Sequence, residues 1–240
     1  MRTKTLTLMA SVLLAFACSF GAYAATDLDG NHYQGIGKLA GEAVDFWVDM
    51  KLDDTDIDFN VSETFKFSAS YKATAVGDKL TVKATLPGNK PCKFTSSDGG
   101  SSLQGKMSIN GKMLDVWALK VPSKLTPTTL PVEKLAPIVG SGDGYTAFVL
   151  IGLPQGQVMC SPAEFSLDGN TGTWKMTCDT PALQKMFSTA HGNYSVSGSE
   201  LLLTDSTGAR VTGTIYDDGN YIRVPAGSAQ GISLTYLLIR

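Results

Sequence analysis

Residues 103–116 read LQGKMSINGKMLDV and residues 211–224 read VTGTIYDDGNYIRV, two stretches that align without a gap. Each contains a dipeptide, Asn110-Gly111 or Asp218-Gly219, whose residues tolerate the positive φ of a tight type I′ turn. The turns predict which side chains face each other across the two hairpins: Met107 and Leu114, Ile215 and Ile222, Tyr216 and Tyr221. The chain is therefore predicted to be all-β, with an internal repeat that uses the same hairpin twice.

A second kind of hairpin is predicted by alternation of apolar and polar residues around an acidic turn. One face of the first strand carries Val44, Phe46, Val48, Met50 and Leu52, and the other carries Asp45, Trp47, Asp49, Lys51 and Asp53. A four-residue loop then sets Leu52 opposite Ile57 and Met50 opposite Phe59. The same register in the second repeat sets Phe165 opposite Trp174.

A proline- and glycine-rich stretch divides the chain almost evenly. Residues 122–144 read PSKLTPTTLPVEKLAPIVGSGDG, and prolines lack the N–H donor that a strand needs. Three shorter similarities flank this stretch in the same order: residues 50–53 with 165–168, Phe59 with Trp174, and residues 75–80 with 196–201. We therefore predict a first β domain at residues 25–121, a linker at 122–143 and a second β domain at 144–240.

The first 24 residues have the features of a signal peptide. Arg2 and Lys4 precede an apolar run that is too short to span a bilayer comfortably, and Ala22-Tyr23-Ala24 offers a cleavage site. The alternative is an outer-membrane lipoprotein anchored through Cys18, although Ala15-Phe16-Ala17 matches the usual approach to such a cysteine poorly. We expect an exported protein, periplasmic or extracellular, with no later transmembrane segment.

Helix signals are scarce. The best candidate is residues 180–191, where a proline lies in the first turn and apolar residues recur at helical spacing before Gly192. About seven or eight short strands per repeat suit antiparallel barrels or sandwiches. The predicted fold is two tandem, related β-barrels or sandwiches with at most one short helix per repeat.

Residues 172–176 (GTWKM) and 192–204 (GNYSVSGSELLLT), with the shorter GDKLTV at 77–82, carry a family resemblance. In these segments the chain resembles the lipocalin-like, or calycin-like, β-barrel domains of secreted bacterial proteins. The resemblance implies a barrel fold and non-catalytic binding of a small apolar or amphipathic ligand.

Nothing in the sequence carries a recognisable reaction. There is no Gly-x-Ser-x-Gly motif, and we interpret the two histidines, His32 and His191, as an exposed loop residue and a cation at a helix C-terminus. Asp54, Asp56 and Asp58 lack the glycine and the glutamate of a calcium loop, so we interpret them as a solvated acidic turn. We expect no enzyme, no metal and no cofactor.

The charge balance and the cysteine count set further expectations. The formal net charge is -2, and removal of Arg2 and Lys4 with the leader makes it more negative, which favours neither nucleic acid nor an anionic membrane as a partner. Cys160 and Cys178 lie near the open end of one predicted hairpin and are the candidate disulfide, with Cys92 left over. The predicted register sets Cys178 opposite Ser161, however, so a bridge would require a bulge.

Trp47 is the candidate binding residue. Its neighbours at even positions are apolar, so Trp47 points to the opposite face, among Asp45, Asp49 and Lys51. Either the linker or the second repeat covers this side chain, or it is an exposed aromatic anchor for a ligand or partner.

The predicted function is that of an exported, non-catalytic binding module for a small apolar or amphipathic ligand. One alternative is a structural or adhesive cell-surface protein whose sheets present a surface to a macromolecular partner. Another is a hydrolase that uses aspartate and glutamate on a β scaffold.

Overall fold

Seventeen strands make up most of the computed structural model, which describes residues 24–25, 27–42, 45–130, 144–178, 184–185 and 187–240. The strands of the first half are β1 (Ala24–Ala25), β2 (His32–Leu39), β3 (Asp45–Asp53), β4 (Asp56–Val61), β5 (Phe65–Val76), β6 (Lys79–Leu86), β7 (Lys90–Ser96), β8 (Ser102–Ile109) and β9 (Lys112–Val121). Those of the second half are β10 (Tyr145–Gly152), β11 (Val158–Asp168), β12 (Thr173–Cys178), β13 (His191–Ser197), β14 (Glu200–Asp205), β15 (Arg210–Tyr216), β16 (Tyr221–Ala229) and β17 (Ile232–Ile239).

Strands β2 to β9 and strands β10 to β17 each form a meander in which every strand pairs antiparallel with the next. The first strand of each meander also pairs with the last, β2 with β9 and β10 with β17. Each meander therefore closes into an eight-stranded antiparallel barrel, an architecture consistent with a calycin-like fold. The predicted all-β fold of antiparallel barrels is confirmed.

Burial follows the alternation of residues along the strands. Inward side chains fill one core in the first barrel and another in the second. A third group of buried side chains, which we call the shared cluster, comprises Ile36, Trp47, Val121, Phe148, Cys160, Tyr221, Leu237 and Ile239. Because both barrels contribute to the shared cluster, their outer walls meet in a buried, mainly apolar contact.

The two barrels are also joined through their backbones. Strand β11 pairs with β3 at Met159↔Phe46 and Cys160↔Asp45. Beside this pairing, the Val158 N–H donates to the Ser62 carbonyl at 3.0 Å. The start of β11 therefore extends the wall of the first barrel.

The locally predicted pairings are confirmed in three hairpins. Met107 lies opposite Leu114, Ile215 opposite Ile222, Tyr216 opposite Tyr221, Leu52 opposite Ile57, and Met50 opposite Phe59. The acidic turn is tighter than predicted, because Asp53 also pairs with Asp56 and leaves only two residues in the loop.

The two hairpins that resemble each other in sequence occupy different positions in their barrels. The one at residues 103–116 joins the seventh and eighth strands, whereas the one at 211–224 joins the sixth and seventh. The seventh and eighth strands of the second barrel turn at Gln230-Gly231, with φ values of 53° and 78°, close to the 48° and 80° of Asn110-Gly111. The gapless match is thus out of phase by one strand. The two-residue turn predicted at Asp218-Gly219 is also wrong, because pairing ends at Tyr216 and Tyr221 and the four-residue loop between them contains a 3-10 turn. The three shorter similarities fall on corresponding strands.

The register predicted for the β11–β12 hairpin is wrong by two residues. Phe165 pairs with Met176, and Trp174 lies opposite Leu167. The loop keeps the predicted four residues but lies one residue later, at 169–172 instead of 168–171, because Gly172, with φ of 64°, belongs to the turn. A shift of two residues leaves the same side chains facing the core, so the burial pattern does not distinguish the two registers. The rings of Phe165 and Trp174 still stack, with centroids 5.8 Å apart.

The predicted helix at residues 180–191 lies partly outside the described residues, which omit 179–183 and 186. Lys185 is helical, but residues 187–189 form a turn and His191 begins β13 opposite Lys175. His191 is therefore a strand residue, and its interpretation as a helix-terminal cation is wrong.

No disulfide joins Cys160 to Cys178 in the structure. The three described cysteines lie in three different apolar clusters: Cys92 in the first core, Cys178 in the second, and Cys160 in the shared cluster. Cys178 pairs with Ala163, so Cys160 is displaced along the neighbouring strand and faces the other side of the sheet. Burial raises the pKa of the Cys92 thiol to about 11 and that of the Cys160 thiol well above its ordinary value.

The described part of the predicted linker lies against the second barrel. Pro127 bridges to Tyr216, the Thr128 N–H donates to the Ile215 carbonyl at 2.9 Å, and Leu130 is buried in the second core. Residues 131–143 and the predicted signal peptide, apart from Ala24, lie outside the described residues. No helix in the described part of the chain is long and apolar enough to cross a membrane.

Candidate functional site

An apolar cavity of about 260 Å³ opens at one mouth of the first barrel, where the β2–β3, β4–β5 and β8–β9 connections meet. Its apolar lining consists of Leu39, Phe46, Val61, Phe65, Ile109 and Leu114, and its polar residues are Asn110, Lys112 and Gln157. Small-molecule sites in proteins commonly combine an apolar wall with a few polar groups, and barrel mouths are one of their usual places. We call this site the mouth cavity.

The floor and the lip of the mouth cavity differ in burial. Val61, Ile109 and Leu114 belong to the first core and are almost inaccessible. Phe46 and Phe65 are only partly buried and pack against the edge of that core. A ligand in the cavity would therefore remove exposed aromatic surface from water, which is the main source of affinity in an apolar site.

Both halves of the chain build the mouth cavity. On one side, the β4–β5 turn places Ser62 and Glu63 in left-handed conformations, with φ of 55° and 59°, and so reverses the chain just before Phe65. On the other side, Gln157 comes from the loop before β11, whose next residue is hydrogen-bonded to Ser62. The contact between the barrels thus fixes the position of Gln157 at the cavity.

The rest of the first barrel leaves no room for a deep ligand. Its interior is filled by large, fully buried side chains: Tyr33, Met50, Phe59, Phe94, Leu103 and Met107. At the end opposite the mouth cavity, the Tyr33 hydroxyl donates a 2.9 Å hydrogen bond to the Gly100 carbonyl. Burial raises the pKa of Tyr33 to about 12, so this hydroxyl stays protonated and remains a donor. The site is therefore a shallow cavity above a packed core.

The loop that presents Gly100 is organised by Asp98. The Ser102 hydroxyl donates to the Asp98 carboxylate at 2.6 Å, and the Ser96 hydroxyl donates to it at 2.5 Å. Desolvation raises the pKa of Asp98, but these hydrogen bonds outweigh it and lower the pKa to about 2. Ser96 in turn accepts from the Gly100 N–H at 2.9 Å. The sealed end of the barrel thus depends on a carboxylate in its connecting loop.

Trp47, the candidate binding residue, lies on the outward face of β3 as predicted and is only 4 % exposed. Its ring meets the ring of Phe148 edge-on, with centroids 6.0 Å apart. This placement corresponds to the expectation in which the second repeat covers the side chain. Trp47 lies in the shared cluster and does not line the mouth cavity.

A polar network flanks the shared cluster. The His32 Nε2 contacts the Asp49 carboxylate, and Gln34 Nε2 lies 3.5 Å from the same ring nitrogen. The Tyr221 hydroxyl of the second barrel donates to Gln34 Oε1 at 3.1 Å. His32 begins β2 and its side chain is 13 % exposed, so its interpretation as an exposed loop residue is wrong. The network positions the two walls against each other.

The acidic turn is exposed, as predicted. The Ser70 hydroxyl donates to Asp56 at 3.0 Å, and the Ser68 hydroxyl donates to Asp58. These hydrogen bonds run across the sheet surface between β4 and β5 and leave the remaining carboxylate oxygens to water.

The residues of the mouth cavity were not singled out by the sequence. Phe46 belongs to the alternating face of β3, and Phe65 follows the β4–β5 turn, so each has the pattern of an ordinary core residue. Their distinguishing property is a position at a strand end on the same rim as Lys112. The rim forms only when the barrel closes, so no local sequence pattern predicts which residues lie on it.

The chain matches no protein-family model, no curated protein and no solved structure.

Proposed function

We propose that the protein is an exported, non-catalytic binding module that holds a small amphipathic molecule in the mouth cavity. The observation that carries the proposal is an apolar cavity with one cationic side chain, Lys112, beside it. Lipocalin-like binding of this kind is also what the sequence resemblance implies. The ligand would place an apolar tail against the lip and floor of the cavity and an acidic head near the ammonium.

The size of the cavity limits the ligand. At about 260 Å³ it lies just below the range of roughly 300 to 1,000 Å³ that is usual for drug-sized molecules. A short unbranched chain fits this space better than a steroid or a long lipid. Among the described residues, no carboxylate lies within 4.0 Å of Lys112, which leaves its charge available to the ligand head.

A series of fatty acids tests the apolar part of the proposal. Each buried methylene contributes about 0.8 kcal/mol, so octanoate should bind roughly fifteen-fold more tightly than hexanoate. The gain should end where the chain outgrows the cavity. Isothermal titration calorimetry of the full-length protein measures both. Equal affinity for hexanoate, octanoate and decanoate would contradict binding in an apolar cavity.

Two variants locate the site and its head-group contact. Phe65→Glu places a charge on the lip and should abolish octanoate binding, whereas Ile232→Glu, at an exposed apolar site in the second barrel, should leave it unchanged. Lys112→Met should weaken octanoate but not octanol, because only the acid has a charge to pair. If Phe65→Glu binds octanoate normally, the ligand lies elsewhere.

Export is part of the proposal and has its own test. The charged start, the apolar run and the small residues at Ala22 and Ala24 support cleavage before Ala25. N-terminal sequencing of the protein from its own host should find Ala25 first. A mature chain beginning at a lipid-modified Cys18 would support the lipoprotein alternative instead.

A further inference from the structure

Four lysines occupy directly opposed positions on adjacent strands of the first barrel. Lys72 of β5 pairs with Lys83 of β6, Lys83 pairs with Lys93 of β7, and Lys93 pairs with Lys106 of β8. All four side chains are exposed, while the residues beside them in sequence are more buried. We call these four residues the lysine row.

The lysine row is unfavourable for the isolated barrel. Like charges directly opposite each other across a sheet repel and destabilise it. The repulsion on Lys106 is reduced by Asp115, whose carboxylate lies 3.0 Å from the Lys106 ammonium. In the described part of the chain, Lys72, Lys83 and Lys93 have no carboxylate within 4.0 Å. Departures from a stabilising pattern are expected where a surface serves a partner.

The positive charge is concentrated on this side of the barrel and does not reflect the composition of the chain. Residues 65–109 contain seven lysines and two aspartates, whereas residues 27–61 contain two lysines and nine acidic residues. The whole chain carries a formal net charge of -2. The first barrel therefore has one basic wall and one acidic wall, and an anion approaching it would be directed to the basic wall.

The lysine row lies in an open groove of about 1110 Å³. A second row of side chains runs beside it across the same four strands: Thr74, Thr81, Thr95 and Gln104. Because neighbouring strands are about 4.8 Å apart, the four ammonium groups extend over roughly 14 Å. The groove therefore offers a line of evenly spaced cations flanked by hydroxyl and amide groups.

We propose that this groove binds an acidic polysaccharide, with the lysine row pairing with carboxylate or sulfate groups along the chain. A polyuronate presents one carboxylate per sugar at regular intervals, which suits a line of single cations. Its hydroxyl groups suit the threonine and glutamine side chains of the second row. The groove shares no lining residue with the mouth cavity, so the inference is independent of the proposed small ligand.

Other polyanions fit the groove less well. Proteins that bind single-stranded nucleic acid stack bases on aromatic side chains, and the one aromatic residue lining the groove, Tyr71, is partly buried against the first core. Binding to an anionic membrane usually adds large apolar side chains that enter the interface, and among the residues lining the groove Met113 is the one large hydrophobic side chain that is exposed. Duplex DNA and anionic vesicles therefore serve as comparison ligands.

The test measures binding of full-length protein to polygalacturonate and to heparin. The variant Lys83→Gln/Lys93→Gln removes the centre of the lysine row, and Lys51→Gln/Lys175→Gln removes two exposed lysines elsewhere with the same change in net charge. We expect the first variant to lose about tenfold or more in affinity and to show a weaker salt dependence, because fewer counterions are released. The matched control should change less than about twofold. Far-ultraviolet circular dichroism verifies that both variants are folded.

Each outcome supports or overturns the proposal. Binding of either polysaccharide that depends on the lysine row, with neutral dextran inactive, supports it, and the better of the two identifies carboxylate or sulfate as the preferred group. No binding by the wild-type protein, or an equal loss in the matched control, overturns it. Tighter binding to a duplex oligonucleotide or to phosphatidylglycerol vesicles than to both polysaccharides overturns the assignment of the partner.

Discussion

Tyr33 and Tyr145 make the same hydrogen bond in the two barrels. Each lies on the first strand of its barrel, and each donates its hydroxyl to a glycine carbonyl in the loop between the sixth and seventh strands, at 2.9 Å to Gly100 and 2.7 Å to Gly219. The two glycines have φ values of 91° and 88°. The barrels are therefore sealed at one end by the same device, and Gly219 corresponds in position to Gly100 and not to Gly111.

Removing either hydroxyl should destabilise its barrel. Tyr33→Phe and Tyr145→Phe each leave a buried carbonyl without its donor, so we expect a loss of about 1 to 2 kcal/mol in the free energy of unfolding for each variant. The two effects should add, because the sites share no partner. Urea denaturation measures the loss. Tyr216→Phe is the control, since the Tyr216 hydroxyl has no hydrogen bond within the described part of the chain. A similar loss of stability in Tyr216→Phe would contradict the conclusion that the hydrogen bonds of Tyr33 and Tyr145 stabilise the barrels.

Trp47→Ala should lower the free energy of unfolding by about 3 to 5 kcal/mol, the usual cost of removing a large buried aromatic side chain. Trp117→Ala removes a half-buried ring that also packs on Phe148, with centroids 5.7 Å apart, and should cost less. Thermal unfolding of both variants gives the comparison. Unchanged stability of the Trp47→Ala protein would contradict a stabilising role for Trp47 in the contact between the barrels.

Asp98 should make stability fall at low pH. Its pKa in the folded protein is about 2, below the ordinary value, so its contribution is complete above about pH 4 and is lost as the pH falls toward 2. Asp98→Asn should remove this part of the pH dependence and be less stable than the wild type at pH 7. Asp78→Asn, in an exposed turn, removes the same charge and should retain the wild-type profile. Denaturation midpoints at a series of pH values distinguish the variants.

Ser62 carries two unfavourable features at once. Its φ is 55°, and its buried hydroxyl has no hydrogen-bond partner among the described residues. Ser62→Gly removes both and should stabilise the protein by about 1 kcal/mol, after the entropic cost of glycine is subtracted. Ser62→Ala removes only the orphan hydroxyl and should fall between serine and glycine. A glycine variant less stable than the wild type would show that the hydroxyl has a partner in solution.

The two barrels should fold as separate polypeptides and then associate. Residues 25–121 contain one closed barrel, and residues 122–240 contain the other together with Leu130, which belongs to the second core. Each piece would expose its side of the shared cluster, so the two should bind each other when mixed. Circular dichroism measures folding, and analytical ultracentrifugation measures the association. Failure of both pieces to unfold cooperatively would show that the halves share one core.

The parts of the fold that are local in sequence were predictable. Alternation and turn chemistry identify Leu52↔Ile57 and Met107↔Leu114, because both partners lie within one hairpin. The closure of β2 on β9 joins residues far apart in the chain, and no pattern in either strand specifies it. The register predicted for Phe165 is wrong because a shift of two residues along the hairpin keeps the same side chains buried. The observed register is the one in which Gly172, with its positive φ, belongs to the turn.

The candidate sites were less predictable than the fold. Phe65 and Lys112 become neighbours of one cavity only after the barrel closes, and Lys83 and Lys93 become opposed only once the β6–β7 register is known. Trp47 was conspicuous in the sequence because it interrupts a charged face. The structure explains why an aromatic residue lies on this charged face: the second barrel covers the Trp47 side chain where the two barrel walls are in contact.

Barrel closure also bears on how this chain behaves at high concentration. A protein so rich in strand would ordinarily present long free edges, whose unpaired N–H and carbonyl groups can template the addition of strands from other molecules. Here the first and last strands of each meander hydrogen-bond to one another. The start of β3, which does not pair with β4, pairs with β11. In the described part of the chain, self-association into cross-β fibrils would first require a barrel to open. Its resistance to amyloid formation should therefore follow the opening rate of the β2–β9 and β10–β17 seams more closely than the overall hydrophobicity of the sequence.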